Sequence, residues 1–226
     1  MISRALATGP APLRLISGGA ETAPSDEEII AAVQRGEQRV ARHLYDRLFH
    51  VVDHTLFRVF GKREVDHDDM VQAVFEQIIM TLGRQTYARA CSLKTWAASI
   101  ASHVGFNALR SRKRERRVLD RGADLEGASS MHISADAENQ ASARIEIDRV
   151  RKHLLAMKPE QAETVFLHDV LDHKLAEIAL LMQVSIAAAT SRLVRGRREL
   201  YRRLDADTKR ESRSLVARPA AQLIQR

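Results

Sequence analysis

Two runs of cations dominate the chemistry open to this sequence. Arg110, Arg112, Lys113, Arg114, Arg116 and Arg117 put six positive charges into eight residues, and Arg192, Arg195, Arg197, Arg198, Arg202 and Arg203 form a second run further on. Such groups bind phosphate oxygens, but cations also decorate solvated helix ends, so the runs alone leave both readings open. Asp66, His67, Asp68 and Asp69, with Glu76 beyond them, have the residue types of a divalent-cation site. However, Asp69 and Glu76 stand seven residues apart while Asp66 and Asp68 point elsewhere, and acids at a helix N-terminus explain the run without metal. No metal site is assigned.

The nine histidines include no His-x-x-x-His pair on one helix face, and one cysteine, Cys91, excludes an internal disulfide and a Cys-rich zinc site. No Gly-rich phosphate loop or nucleophile elbow is present. The chain is therefore expected not to be an enzyme, with no catalytic residue and no cofactor. One loop has a different chemistry: residues 84–93 contain Arg84, Gln85, Tyr87, Arg89 and Ser92 and lead into Lys94-Thr95-Trp96. Tyr87 and Arg89 have the types that stack on or clamp unpaired bases, and equally those of a solvent loop; Trp96 suits a core anchor.

The elements that must position these residues are helices. Of 226 residues, 45% are hydrophobic and 29% charged, but only 4% are aromatic, with ten glycines and five prolines, which disfavours an all-β fold. Lys and Arg number 36 against 29 Asp and Glu; the net charge of +7 biases the chain toward polyanions. Residues 1–24 have no apolar run of signal-peptide length and nothing approaches a membrane span of ~20 apolar residues, so a cytoplasmic location without membrane insertion is expected.

Residues 1–24 read as a flexible tail. Ser25 and Glu28 have capping-box spacing ahead of Ile29, Ile30 and Val33. After Gly36, a wide stripe from Val40 through Tyr45, Phe49 and Phe57 predicts a helix ending at Gly61. Met70, Val71, Val74, Phe75, Ile78, Ile79 and Leu82 predict another, stopped by Gly83, and Lys94–Arg110 a fourth with Trp96, Ile100, Val104 and Leu109 inward. Residues 25–117 thus form one helical domain. Residues 118–142 lack large apolar side chains and read as a linker. Helices resume over 143–204, and 205–226 reads as a polar, frayed tail. The expected fold is all-α: two small helical domains on a flexible linker.

The second domain contains a short amphipathic segment, Leu175–Met182, a tight turn at Gln183-Val184, and a new helix capped by Ser185 and ending in arginines. This is a helix-turn-helix pattern, whose second helix enters the DNA major groove; an ordinary helical hairpin with a basic face is the alternative.

Residues 26–204 resemble a bacterial RNA polymerase sigma factor of the extracytoplasmic-function group, which keeps only the second and fourth conserved regions. Asp68-Asp69-Met70-Val71-Gln72-Ala73-Val74-Phe75 looks like the family's acidic signature, which implies docking on the polymerase β′ clamp by Asp68, Asp69, Gln72, Phe75 and Glu76. Lys94-Thr95-Trp96 with Ile100-Ala101 and Asn107 is similar to the helix that reads the minus-ten element; the resemblance implies promoter contact there by Tyr87, Arg89, Lys94, Thr95, Asn107, Arg110, Arg112 and Lys113. Lys158-Pro159-Glu160-Gln161 and Leu175-Ala176-Glu177-Ile178-Ala179 resemble the opening of region four. Val184-Ser185-Ile186 and Ser191-Arg192-Leu193 resemble its minus-thirty-five reader, which implies contact by Ser185, Ala188, Thr190, Ser191, Arg192, Arg195 and Arg198. The sequence departs from the family pattern at Ala73, Gln183, Ala188 and Thr190, leaving the recognition helix fewer polar groups for base edges.

The resemblance implies a factor that binds core RNA polymerase (β′ clamp and β flap), recognises and melts promoter DNA, and meets an anti-sigma factor as many relatives do. A 25-residue linker would span roughly 25–30 Å as a flexible chain and at most ~85 Å stretched, against ~35–70 Å between promoter elements one to two turns apart. The rival reading is a stand-alone helix-turn-helix regulator that binds its duplex operator without polymerase.

Overall fold

Local capping chemistry starts the chain where the sequence predicts. In the computed structural model, which describes residues 24–119 (apart from 38, 86, 88 and 90) and 135–221, the Ser25 hydroxyl accepts the Glu28 amide at 3.2 Å and the Glu28 carboxylate accepts the Ser25 amide at 2.7 Å. Helix α1 (Asp26–Gln34) follows, with α2 (Arg39–Phe60), α3 (His67–Gly83) and α4 (Leu93–Leu119) after it. Gly61, at φ +80°, ends α2 in the left-handed conformation that only glycine adopts without strain. Ile29, Leu44, Leu48, Val52, Leu56, Val74, Ile78, Leu82, Leu93 and Trp96 close a core between these helices.

Helix α5 (Ala135–Leu154) leads to α6 (Pro159–Val165), which runs on as one π-helical turn over Phe166–Val170; α7 (Leu175–Leu181) and α8 (Ile186–Ala221) complete the fold. All described regular structure is helical, as the composition predicts. Proline is tolerated at the first position of α6 because its missing N–H has no helical partner there. Leu167, Ile178, Ala179 and Ala189 form a small core inside the helix-turn-helix, and α7 and α8 cross at 105°.

Two expectations are corrected. The stretch 118–142 is not linker throughout: α4 continues to Leu119 and α5 already begins at Ala135, while residues 120–134 lie outside the described residues. Nor do residues 205–221 fray, since α8 continues through them. Arg149 on α5 donates to Glu211 at 2.5 Å and His153 lies 2.7 Å from Asp207, so ion pairs replace the apolar contacts that the sequence lacks there. The rest of the tails, 1–23 and 222–226, lies outside the described residues.

The two helical units also share a core. Val59 of α2 and Phe106 of α4 pack with Leu154, Met157, Val165, Phe166 and Leu193. Burying each aromatic ring is worth about 1.5–3 kcal/mol. At the rim the units exchange arginines. Arg58 donates to the Val170 carbonyl at the end of the π-turn, and Arg151 Nε donates to the Arg58 carbonyl at 3.2 Å at the end of α2. Each guanidinium satisfies a carbonyl that a terminating helix leaves open.

Candidate polymerase and promoter interfaces

Helix α3 presents an arc of outward side chains because its apolar residues follow a helical period. Val71, Val74, Phe75, Ile78 and Leu82 turn inward, leaving Asp68, Asp69, Gln72, Glu76 and Ile79 exposed on the opposite side. Gln72 Nε2 donates to Glu76 at 2.9 Å, and neither Asp68 nor Asp69 has an ion-pair partner among the described residues. The acids at the positive helix end are thus available to an incoming cation. Asp66 differs: it pairs with Arg112, while the buried His67 lies 2.8 Å from Asp53.

The expectation for Phe75 is corrected. It is 7% exposed and belongs to the core, where α3 carries it inward with Val71 and Ile78. Its ring instead supports Tyr45, with centroids 4.7 Å apart, and Tyr45 is 43% exposed and stacks on Phe49. Tyr45 and Ile79 therefore supply the apolar part of this surface. The signal that could have found Tyr45 is a stripe on α2 too wide for one buried face.

In the loop before α4, Tyr87 leans on Trp96 with centroids 4.7 Å apart, and its hydroxyl donates to the Cys91 carbonyl at 2.5 Å. Burial pushes the Tyr87 phenol up to about 12. Tyr87 braces the loop in this conformation, whereas Arg89, at φ +52°, is exposed. Trp96 is buried, as predicted.

Helix α4 divides its candidate promoter residues. Lys94 and Asn107 are exposed, Arg114 and Arg116 likewise, and Thr95 and Lys113 are half-buried. Arg110 is turned inward against the second unit: Nη1 donates to Glu163 of α6 at 3.3 Å and the guanidinium lies 5.4 Å from the Phe106 ring centroid. Arg112 is held by Asp66 and lies 5.0 Å from the Phe60 ring. Asn107 is bonded to His103, 2.9 Å away, and His103 approaches Glu163 at 3.4 Å. Of the six cations in the run 110–117, two, Arg110 and Arg112, are already engaged by carboxylates.

At the other end, Ser185 caps α8 by accepting the Ala188 amide at 3.1 Å. Ser191, Thr190, Arg195 and Arg198 are exposed and Ala188 and Arg192 half-buried, on the helix that follows the tight turn. Gln183 makes that turn at φ +53°, where glycine is common in helix-turn-helix proteins. Arg197 leaves this set, because its Nε donates to Asp169 on the π-turn at 2.9 Å; Arg202 and Arg203 both pair with Glu199. The crossing of 105° between α7 and α8 falls within the ~90–120° of helix-turn-helix units. Among the described residues no single helix is long and apolar enough to cross a membrane.

Residues 42–115 match sigma-70 region 2 and residues 147–200 match sigma-70 region 4. The chain is 30% identical over 196 residues to the RNA polymerase sigma factor CnrH of Cupriavidus metallidurans, covering 83% of this chain and 99% of that protein. Solved structures with a similar fold include CnrH in complex with the cytosolic domain of CnrY (TM-score 0.47, 23% identity, 79% of this chain and 96% of that one). Another is the sigma factor RpoE with the anti-sigma factor NepR from Bartonella quintana (TM-score 0.45, 19% identity, 72% and 96%). Matches to both regions, in order and across the length of a full relative, favour a sigma factor over a stand-alone regulator. The chain belongs to the extracytoplasmic-function group of the sigma-70 family, and it directs RNA polymerase to specific promoters to initiate transcription.

Proposed function

We propose that the three surfaces divide the work of initiation. The α3 arc of Asp68, Asp69, Gln72 and Glu76, with Tyr45 and Ile79 beside it, docks on the β′ clamp of core polymerase. The loop before α4, with Arg89, Lys94, Thr95 and Asn107, receives the unpaired minus-ten strand, and binding that open form favours melting. Arg110, Arg112 and Lys113 supply phosphate contacts as promoter DNA arrives. Helix α8 enters the major groove of the minus-thirty-five element and the surrounding region meets the β flap. An anti-sigma factor is a further partner, as RpoE of Bartonella quintana has in NepR. The observation that carries the reading is the α3 arc: two exposed carboxylates with no ion-pair partner among the described residues, on a helix whose opposite face packs in the core and whose Phe75 supports the exposed Tyr45.

The test is co-elution of the chain with sigma-free core polymerase in size-exclusion chromatography, repeated with Asp69→Arg plus Gln72→Ala. Both positions are exposed, so the double variant keeps its fold. Co-elution of the wild type and its loss in the variant are expected. Equal co-elution of both would remove the α3 arc from the polymerase interface.

A further inference from the structure

Two hydroxyl groups at the start of helix α8 bond the helix's own backbone. Ser185 Oγ is occupied by the Ala188 amide, and Thr190 Oγ1 donates to the Ile186 carbonyl at 2.8 Å. Arg195 Nε donates to the Ser191 carbonyl at 3.1 Å, and the Ser191 hydroxyl has no partner among the described residues. What faces outward instead is apolar. Ile186 is 57% exposed and Val194 50%, with Ala187 exposed beside them and the γ-methyl of Thr190 between. Ile186, Thr190 and Val194 follow one another at intervals of four residues, so they form a single strip along the helix.

Arg198 continues this strip four residues beyond Val194, and Arg192 and Arg195 lie around the helix from it. Arg195 and Arg198 are exposed and Arg192 half-buried, and none has an ion-pair partner among the described residues. Half-exposed β-branched side chains leave apolar surface that a bound partner can cover. Duplex DNA combines both features: phosphates line the groove, and the thymine C5-methyl is the apolar group on its floor. An acidic protein groove is the other surface with this chemistry, and the experiment below separates the two.

We propose that α8 reads its upstream element chiefly through apolar contact of Ile186, Thr190 and Val194 with thymine methyl groups, the arginines fixing register on the phosphates. This rests on the assignment of α8 as the reader of duplex DNA. It predicts a preference for thymine on either strand at the positions under the strip, with little discrimination by hydrogen bonding.

The experiment uses holoenzyme reconstituted from the full chain and core polymerase. It selects from duplexes with a fixed pre-melted downstream segment and a randomised upstream segment, and the enriched duplex is then remade with 2′-deoxyuridine in place of thymine. Each thymine under the strip is expected to lose about fourfold in affinity when its methyl is removed, the loss from one buried carbon group. Ile186→Ala, Val194→Ala and Thr190→Ser should weaken the thymine duplex by similar factors while leaving the deoxyuridine duplex unchanged. Thermal unfolding should be unaltered, since the side chains are exposed. Equal binding of the two forms of an enriched duplex would overturn the apolar readout while leaving α8 as the reader. Enrichment of no upstream sequence would overturn both, and would make the strip a protein-binding surface.

Discussion

Glu163 of α6 accepts a hydrogen bond from Arg110 of α4 at 3.3 Å, joining the region 4 unit to a helix of region 2. Both side chains are largely buried, and the Nε and Nη2 atoms of Arg110 have no hydrogen-bond partner among the described residues. A guanidinium engaged in this way cannot also bind a DNA phosphate. Contact between Arg110 and promoter DNA therefore requires that the two units move apart at α6.

That junction should weaken as pH rises. The hydrogen bond to Glu163 raises His103 above its usual 6.5, with burial opposing it. Burial alone would raise Glu163, but the bonds from His103 and Arg110 outweigh it and hold the carboxyl below 4.5. A raised histidine stabilises fully below its unfolded value and loses that contribution as pH climbs through its folded value. A lowered glutamate stabilises above 4.5 and loses it as pH falls. Both act together between 4.5 and 6.5. Thermal midpoints measured from about pH 6 to about pH 8 should decline in the wild type and decline less in Glu163→Gln. Parallel curves would exclude this carboxylate as the source.

Across the same boundary, Phe106 and Phe166 meet edge to face, with centroids 5.1 Å apart and planes at 90°. Phe106→Ala or Phe166→Ala should each cost about 3–5 kcal/mol in denaturant unfolding. The double variant should show a coupling of about 0.5–1.5 kcal/mol. Strict additivity would mean that the rings are apart in solution.

Gln183 holds a left-handed conformation at the turn of the helix-turn-helix without a side-chain bond to compensate. Gln183→Gly should relieve that strain and raise stability by about 0.5–1 kcal/mol after the entropy cost of glycine. A destabilised variant would show that the glutamine side chain makes a contact worth more than the strain.

The arginines of α8 contribute fewer phosphate contacts than their number suggests. In the run from Arg192 to Arg203, Arg197 is held by Asp169 and Arg202 and Arg203 by Glu199, leaving Arg192, Arg195 and Arg198. Replacing these three with alanine should make the log–log salt dependence of holoenzyme binding shallower by about 3. Replacing Arg197, Arg202 and Arg203 should change it little. The reverse ranking would mean that the ion pairs open on binding.

Much of this was legible in advance because the helices of region 2 carry unambiguous signals: the Ser25–Glu28 box, the stop at Gly61 and the period from Val71 to Leu82. The helix-turn-helix was legible for the same reason. Helix α5 was legible only from about residue 143, and the end of α8 was not legible, since the ion pairs Arg149–Glu211 and His153–Asp207, which leave no hydrophobic period, hold it to α5. The π-turn escaped because its extra residue looks like ordinary helix over so short a span. Phe106 and Phe166 could each have filled the core of their own unit, so nothing in their spacing announced a shared one. At the site, the exposed acids of α3 were legible from their helix position. The burial of Phe75 and the capture of Arg110 depend on neighbours distant in sequence.

Gly196 marks where α8 presses closest to α6: a Cβ there would lie 2.7 Å from Val165 and 3.1 Å from the Gln161 carbonyl oxygen. Ile186, Ala187 and Val194 are exposed on the same helix. On the proposed reading of α8, a change in the outer residues alters which promoters are bound and leaves the frame anchored at position 196 as it is, so recognition and folding can be varied separately.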